Sequence, residues 1–97
     1  NFNYKGEKMV IIGNFKVSKG YETWKQAFLD NHEMREKHGI KVLAFGTNEA
    51  DSDHVYTVID IPSLEIMQNL MKEPEMIKLR EIAGVIAETQ QMVTINE

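Results

Sequence analysis

The sequence predicts one α+β domain with the element order β-α-β-β-α-β, in which the second helix is broken in two. Three observations lead to this fold class. Four segments are rich in β-branched and aromatic residues, as strands are. Two longer segments carry apolar residues at helical spacing, and glycine or proline separates the segments. A chain of 97 residues with 42% hydrophobic residues is long enough to bury one compact core.

The first half of the chain predicts a strand, a long helix and a hairpin. Residues 9–17, MVIIGNFKV, form the first strand. Residues 21–38 form a helix that Gly39 ends, because glycine readily adopts the left-handed conformation of a helix C-terminus. Residues 40–47 and 53–61 form the second and third strands. The polar segment NEADSD between them predicts a hairpin loop, since it lacks the glycine and the later glutamate of a calcium loop.

The second half predicts a broken helix and a last strand. Proline and serine at positions 62–63 begin the helix, Pro74 interrupts it, and residues 75–83 continue it as far as Gly84. Residues 85–95 form the fourth strand. Because a strand–helix–strand crossover is almost always right-handed, this order gives the ferredoxin-like arrangement of a four-stranded antiparallel sheet with its helices on one face.

The central strands predict that something covers the open face of this sheet. An antiparallel sheet with helices on one face normally presents polar residues to water on the other. Here Val10 and Ile12 alternate with Met9 and Ile11, and the third strand is apolar on both sides in the same way. The simplest cover is a second copy of the chain, so we expect a two-fold homodimer through the open sheet face.

Composition and charge exclude several classes of function. The absence of cysteine excludes disulfides, thiolate metal sites and cysteine nucleophiles, and it suits the cytoplasm. A net charge of −4 argues against nucleic acid, and no apolar run approaches the roughly 20 residues that span a membrane. Residues 1–8 predict a polar N-terminal extension, an expression remnant, or the start of a chain after signal-peptide cleavage, with residues 9–97 as the domain.

Residues 31–40, NHEMREKHGI, crowd ionisable side chains into a short segment. His32 and His38 are six positions apart, about 120° around a helix, so they cannot chelate one ion as residues four apart can. His32 and Glu36 have the shorter spacing, but metal sites usually need at least three converging ligands. We therefore expect no metal site, and no motif indicates a cofactor.

A helical wheel separates these residues into faces. The apolar stripe of the first helix contains Trp24, Ala27, Phe28 and Met34. Asn31, Arg35 and His38 fall inside the stripe and His32 on its flank, which makes them candidates for a pocket. The alternative is structural: cations in the last turn favour the negative end of the helix dipole, and His32 would pair with Glu36.

The chain resembles the dimeric α+β barrel superfamily, and within it the antibiotic-biosynthesis-monooxygenase-like (ABM-like) domains, over residues 9–95. The resemblance rests on the acidic hairpin before a β-branched strand, on the EPE break followed by AGV, and on a pattern of five residues: Trp24, Phe28, His32, Arg35 and Gly39. The haem-degrading branch does not fit, because the third strand ends IDIPS without tryptophan and the segment EMIKLREIA has no histidine.

The resemblance implies a homodimer that holds a small, mostly apolar organic ligand between helices and sheet. The candidate ligand-binding residues are Asn31, Arg35, Asn14, Tyr56, Trp24 and Phe28. Asn14 and Tyr56 share a side of their strands that lines either the pocket or the dimer interface. If the protein is an enzyme, the expected class is cofactor-independent monooxygenase or isomerase, with His38 or His32 as base and Arg35 or Asn31 stabilising an enolate. The alternative is a non-catalytic stress-related or protein-interaction module of the same fold.

Overall fold

The computed structural model describes residues 9–96, so the predicted N-terminal extension lies outside the described residues. It confirms the predicted α+β fold class and the broken second helix. The elements are β1 (Met9–Val17), α1 (Tyr21–Asp30), α2 (His32–Lys37), β2 (Lys41–Asn48), β3 (Asp51–Ile61), α3 (Leu64–Met71), α4 (Pro74–Ile82) and β4 (Val85–Asn96).

The four strands form one antiparallel sheet in the order β2-β3-β1-β4. The central strand β1 pairs with β3 on one side and with β4 on the other, so Gly13 lies between Thr57 and Met92. The pairing with β4 is irregular between Asn14 and Lys16. This register defines two faces, because successive side chains of a strand point in opposite directions.

The helices cover one face, and the buried core lies between them and the sheet. It contains two clusters of buried residues. The first comprises Ile11, Ile40, Ile61, Met67 and Leu70. The second comprises Phe15, Val17, Trp24, Val55 and Ala83. None of the helices within residues 9–96 is long and apolar enough to cross a membrane.

The predicted continuous helix over 21–38 is in fact two helices that meet at Asn31. Asn31 has φ −96° and ψ 16°, and its backbone N–H donates to the Phe28 carbonyl three residues earlier instead of four. Asparagine favours such local turns over a helix interior. Gly39 ends α2 with a φ of 74°, as predicted. Met34 and Arg35, which follow this break, still face the core as one continuous wheel predicts, whereas His38 lies beyond the last residue of α2.

The hairpin between β2 and β3 is tighter than predicted. Only Glu49 and Ala50 separate the strands, and β3 begins at Asp51 instead of residue 53. The Asn48 side-chain oxygen accepts a hydrogen bond from the Ala50 N–H at 2.8 Å, and the Asp51 carboxylate accepts one from the Asp53 N–H at 3.0 Å. These side-chain bonds give the backbone N–H groups at the turn their hydrogen-bond partners. Most of the polar segment NEADSD, which predicts a loop, therefore belongs to β2 and β3.

The second helix breaks where the sequence predicts. Ser63 caps α3 by accepting a hydrogen bond from the Ile66 N–H at 3.1 Å. Pro74 occupies the start of α4, where a missing N–H removes no helical bond. Gly84 follows α4 with a φ of 87°. Its carbonyl accepts from the Ser18 N–H at 2.8 Å, which ties the end of β1 to the start of β4.

Candidate functional site

A cavity of about 130 Å³ lies between the helices and the covered face of the sheet. Its lining is mostly apolar and aromatic. The lining residues come from three strands, β1, β3 and β4, and from the four helices, including Met67 and Met71 of α3. Gly13 contributes to the floor, where a missing side chain leaves room above the central strand. Glycine inside a strand often marks such a close approach to a ligand.

Aromatic side chains form one wall of the cavity. The Trp24 ring centroid lies 4.7 Å from that of Phe28 and 5.8 Å from that of Phe15. The Phe28 centroid lies 5.2 Å from that of Phe45 on β2. These contacts fasten α1 to the sheet. Trp24 and Phe28 are therefore core anchors and cavity lining at once.

Arg35 is a buried cation in the cavity lining, with 9% of its surface exposed. Its Nη2 donates a hydrogen bond to the Phe28 carbonyl at 2.7 Å, and its Cζ lies 3.9 Å from the Phe28 ring centroid. Burial lowers the pKa of the Arg35 guanidinium. The group remains charged at neutral pH, because an arginine pKa starts far above that range. Asn31, at the break between α1 and α2, lines the same cavity.

Arg80 on α4 is a second arginine in the lining, and the sequence reasoning missed it. Its Nη2 donates to the Gln90 side-chain oxygen on β4, and its Cζ lies 5.3 Å from the Phe15 ring centroid. Burial lowers the pKa of this guanidinium as well. A signal was available: Arg80 follows Met76 by four positions and precedes Ala83 by three, which puts it on the core-facing side of α4.

His32, the first residue of α2, and His38, which follows its last residue, do not line the cavity. His32 is exposed, and its Nδ1 lies 3.2 Å from the Leu29 carbonyl oxygen. The Nδ1 of His38 lies 2.9 Å from the Met34 carbonyl oxygen, so this ring folds back onto the end of its own helix. Within residues 9–96, no three His, Cys, Asp or Glu side chains are grouped to hold a metal ion.

Asn14 and Tyr56 are paired across β1 and β3 on the open face, away from the cavity. The Asn14 side-chain oxygen lies 2.8 Å from His54 Nε2, and the His54 and Tyr56 ring centroids are 4.7 Å apart. An exposed ion pair continues this polar cluster, with 2.6 Å between Lys16 Nζ and an Asp51 oxygen. The hydrogen bond from Lys16 lowers the pKa of the Asp51 carboxyl. The sequence did not decide which face of the sheet Asn14 and Tyr56 occupy, and the structure places them on the face opposite the helices.

The rest of the open face is apolar. Val10 pairs with Ile95, and Ile12 lies between Val58 and Val93. Val93 is 62% exposed and Ile95 is 48% exposed. A contiguous apolar surface of this kind is unusual on a soluble monomer and is typical of an interface.

Comparison with known proteins identifies the fold but no activity. A family model described as "Domain of unknown function (DUF3764)" matches residues 8–96. The sequence matches no curated protein.

Three solved structures are similar over nearly the whole chain. The first, assigned as an antibiotic biosynthesis monooxygenase from Nitrosomonas europaea, has a TM-score of 0.69 at 16% identity and covers 99% of this chain and 95% of its own. A nipsnap family protein with unknown function from Agrobacterium tumefaciens has a TM-score of 0.68 at 13% identity, with 97% and 91% covered. A variant of SnoaB, a cofactor-independent oxygenase from Streptomyces nogalater, has a TM-score of 0.66 at 6% identity, with 94% and 93% covered. The resemblance to ABM-like domains is thus confirmed for the fold, which by itself does not determine function.

Proposed function

The chain belongs to the DUF3764 domain family, and on that premise we propose that it is a small-molecule-binding domain. Its ligand is a small, mostly apolar organic compound held between the helices and the sheet. One observation carries this proposal: the cavity is walled by aromatic and aliphatic side chains, with a few polar groups converging on it. That combination is typical of ligand sites, where apolar contacts bind and a few polar groups orient.

The size of the cavity supports a compact ligand. An engineered apolar cavity of roughly 150 Å³ binds benzene, and the cavity here measures about 130 Å³. One six-membered ring therefore fits without large movement of the walls. Asn31 and Arg35 supply polar contacts from the helices, and Thr57 supplies a hydroxyl from the sheet.

We further propose that the working form is a homodimer through the open sheet face. The apolar part of that face, which includes Val10, Ile12 and Val93, supports the homodimer. In a two-fold dimer, a second copy of the chain would cover it with the same surface. The polar cluster around Asn14 and Tyr56 would then lie at one end of the interface, where its hydrogen bonds remain satisfied within each protomer.

The proposed chemistry, if the domain is catalytic, is cofactor-independent oxygenation or isomerisation of a compound with an acidic C–H bond. Arg35 would stabilise the enolate that forms when this proton passes to solvent water, because a preorganised cation in an apolar site acts strongly on developing charge. Asn31 would orient the enolate oxygen. Water is the proton acceptor in this scheme because the described lining contains no carboxylate or imidazole. In an oxygenation, dioxygen would be the oxidant. The proposal gives no catalytic role to His32 or His38, since neither lines the cavity.

Trp24 provides a direct test, because it is the single tryptophan of the chain and lines the cavity. One-ring compounds, both neutral and anionic, are titrated into the protein while tryptophan emission is recorded. Native mass spectrometry of freshly purified protein measures retained ligand and assembly state together. We expect a saturable emission change with at least one probe. If no probe produces one and no ligand is retained, the ligand proposal fails and the interaction-module alternative is favoured.

A further inference from the structure

The charges in the cavity wall are all of one sign. The chain contains two arginines, Arg35 and Arg80, and both line the cavity. The chain also contains 15 acidic residues, yet none of those within residues 9–96 lines it. A protein with a net charge of −4 therefore has a locally cationic site.

Neither arginine has an acidic partner in the described part of the chain. The ion pair found within residues 9–96 joins Lys16 to Asp51 on the open face. Arg35 is buried and Arg80 is half-buried. Removing a cation from water is costly unless it is paired and hydrogen-bonded, so such guanidinium groups usually meet a carboxylate or phosphate. Here the protein supplies neither, and an anion from outside would complete the site.

Of the two, Arg80 is the less compensated. Arg35 lies 3.9 Å from the Phe28 ring centroid and donates to a backbone carbonyl in the last turn of α1. Such terminal carbonyls carry partial negative charge and need donors. Arg80 lies farther from its ring, 5.3 Å from the Phe15 centroid, and its side-chain partner is the neutral amide of Gln90. Its remaining N–H groups have no acceptor among the described side chains.

We infer that the ligand of this cavity is an organic acid with an apolar body, and that Arg80 binds its carboxylate. Gln90 is a positioning residue, because its side-chain oxygen accepts one N–H of the Arg80 guanidinium and so fixes the orientation of that group. In this orientation a carboxylate can accept two parallel hydrogen bonds from the guanidinium. The inference rests on the proposed function, because it assigns a substrate class to the same site.

A pair of matched probes tests it. Cyclohexanecarboxylate and cyclohexanecarboxamide share a ring and a similar shape but differ in charge, and neither absorbs where tryptophan is excited. Trp24 emission and titration calorimetry give the Kd of each. We expect the acid to bind at least about tenfold more tightly than the amide, as a charge-assisted bidentate contact would produce.

Variants assign the preference to Arg80. Arg80→Met retains an apolar stem over Phe15 and should abolish the acid preference, so that acid and amide bind with similar Kd values. Gln90→Glu retains Arg80 but gives it a carboxylate partner within the protein, so it should also abolish the preference for the acid. This second variant keeps the test valid if Arg80→Met does not fold. Lys78→Met removes one charge from an exposed position of the same helix and should retain the preference.

The failures are distinguishable. If the parent protein binds acid and amide equally, the inference is overturned and the proposed function stands. If the preference survives in both Arg80→Met and Gln90→Glu, the carboxylate is bound elsewhere and the assignment to Arg80 is wrong. If neither probe binds and no other one-ring compound does, the proposed function itself is overturned and the inference with it.

Discussion

The guanidinium of Arg35 stacks on the ring of Phe28, 3.9 Å from its centroid, and donates at 2.7 Å to the carbonyl of that same residue. Phe28 belongs to α1 and Arg35 to α2, so one side chain joins the two helices across the break at Asn31. The ring face and the terminal carbonyl both attract the cation, and together they compensate for its burial. The same contact holds the aromatic wall of the cavity in place.

Replacing Arg35 should therefore destabilise the fold. Arg35→Ala removes the stem that packs on Phe28 and one of the two donors to the Phe28 carbonyl, the other being the Asn31 N–H, and we expect it to lower the free energy of unfolding by about 1–3 kcal/mol. Urea denaturation followed by circular dichroism measures this change. Lys37→Ala, on the exposed side of the same helix, is the control and should change stability by less than about 0.5 kcal/mol. Equal stability of the two variants would contradict the structural role of Arg35.

Filling the floor of the cavity should block ligand binding without unfolding the protein. A Cβ at Gly13 would lie 3.5 Å from Thr57 Oγ1 and 3.6 Å from Met92 Cγ, which are ordinary contacts. Gly13→Val places a β-branched side chain in a strand, where it is favoured, and directs it into the cavity. We expect Gly13→Ala to weaken binding of a one-ring probe slightly and Gly13→Val to weaken it at least about tenfold, which corresponds to about 1.4 kcal/mol. Unchanged binding in Gly13→Val, measured by Trp24 emission, would place the ligand elsewhere.

A charge on the open face should dissociate the proposed homodimer. Val93 is 62% exposed in the single chain, so Val93→Glu should not disturb the protomer, but it would bury an unpaired carboxylate in the interface. Sedimentation velocity at micromolar concentration should show dimers for the parent and monomers for the variant. Thr94→Glu adds the same charge to the next residue, on the opposite face, and should remain dimeric. A parent that sediments as a monomer would exclude the dimer.

Gly84 and Gly20 allow two reasons for requiring glycine to be compared, a positive φ and a lack of space for a Cβ. Both have a positive φ, 87° and 88°, but a Cβ at Gly84 would lie 3.0 Å from the Lys19 backbone nitrogen, whereas at Gly20 it would meet nothing within 4 Å. Gly20→Ala should cost about 1–3 kcal/mol for its backbone conformation alone, because φ 88° with ψ 157° is a combination that essentially only glycine adopts. Gly84→Ala should cost about 1–3 kcal/mol more, because the neighbouring backbone must also move. Thermal or urea unfolding measures both. Equal losses would mean that the contact with Lys19 relaxes freely.

The candidate site was only partly predictable. The wheel of the first helix identified Trp24, Phe28, Asn31 and Arg35, all of which line the cavity. It also included His38, which is not in the lining, because His38 follows the last residue of α2 and its ring folds back onto the Met34 carbonyl. The end of a helix, like the break at Asn31, depends on the backbone conformation of one residue, and the spacing of apolar residues does not predict it.

The sequence by itself determined the order and nature of the elements, because their causes act within a few residues: the Ser63 cap, the proline that begins α4 and the positive-φ glycines. Only the tertiary structure decided what surrounds the cavity. Gly13, Arg80 and Gln90 come from β1, α4 and β4 and meet only when the sheet pairs and the helices cover it. Strand alternation defines two faces, but which of them the helices cover depends on the total apolar surface that all strands and helices bury together.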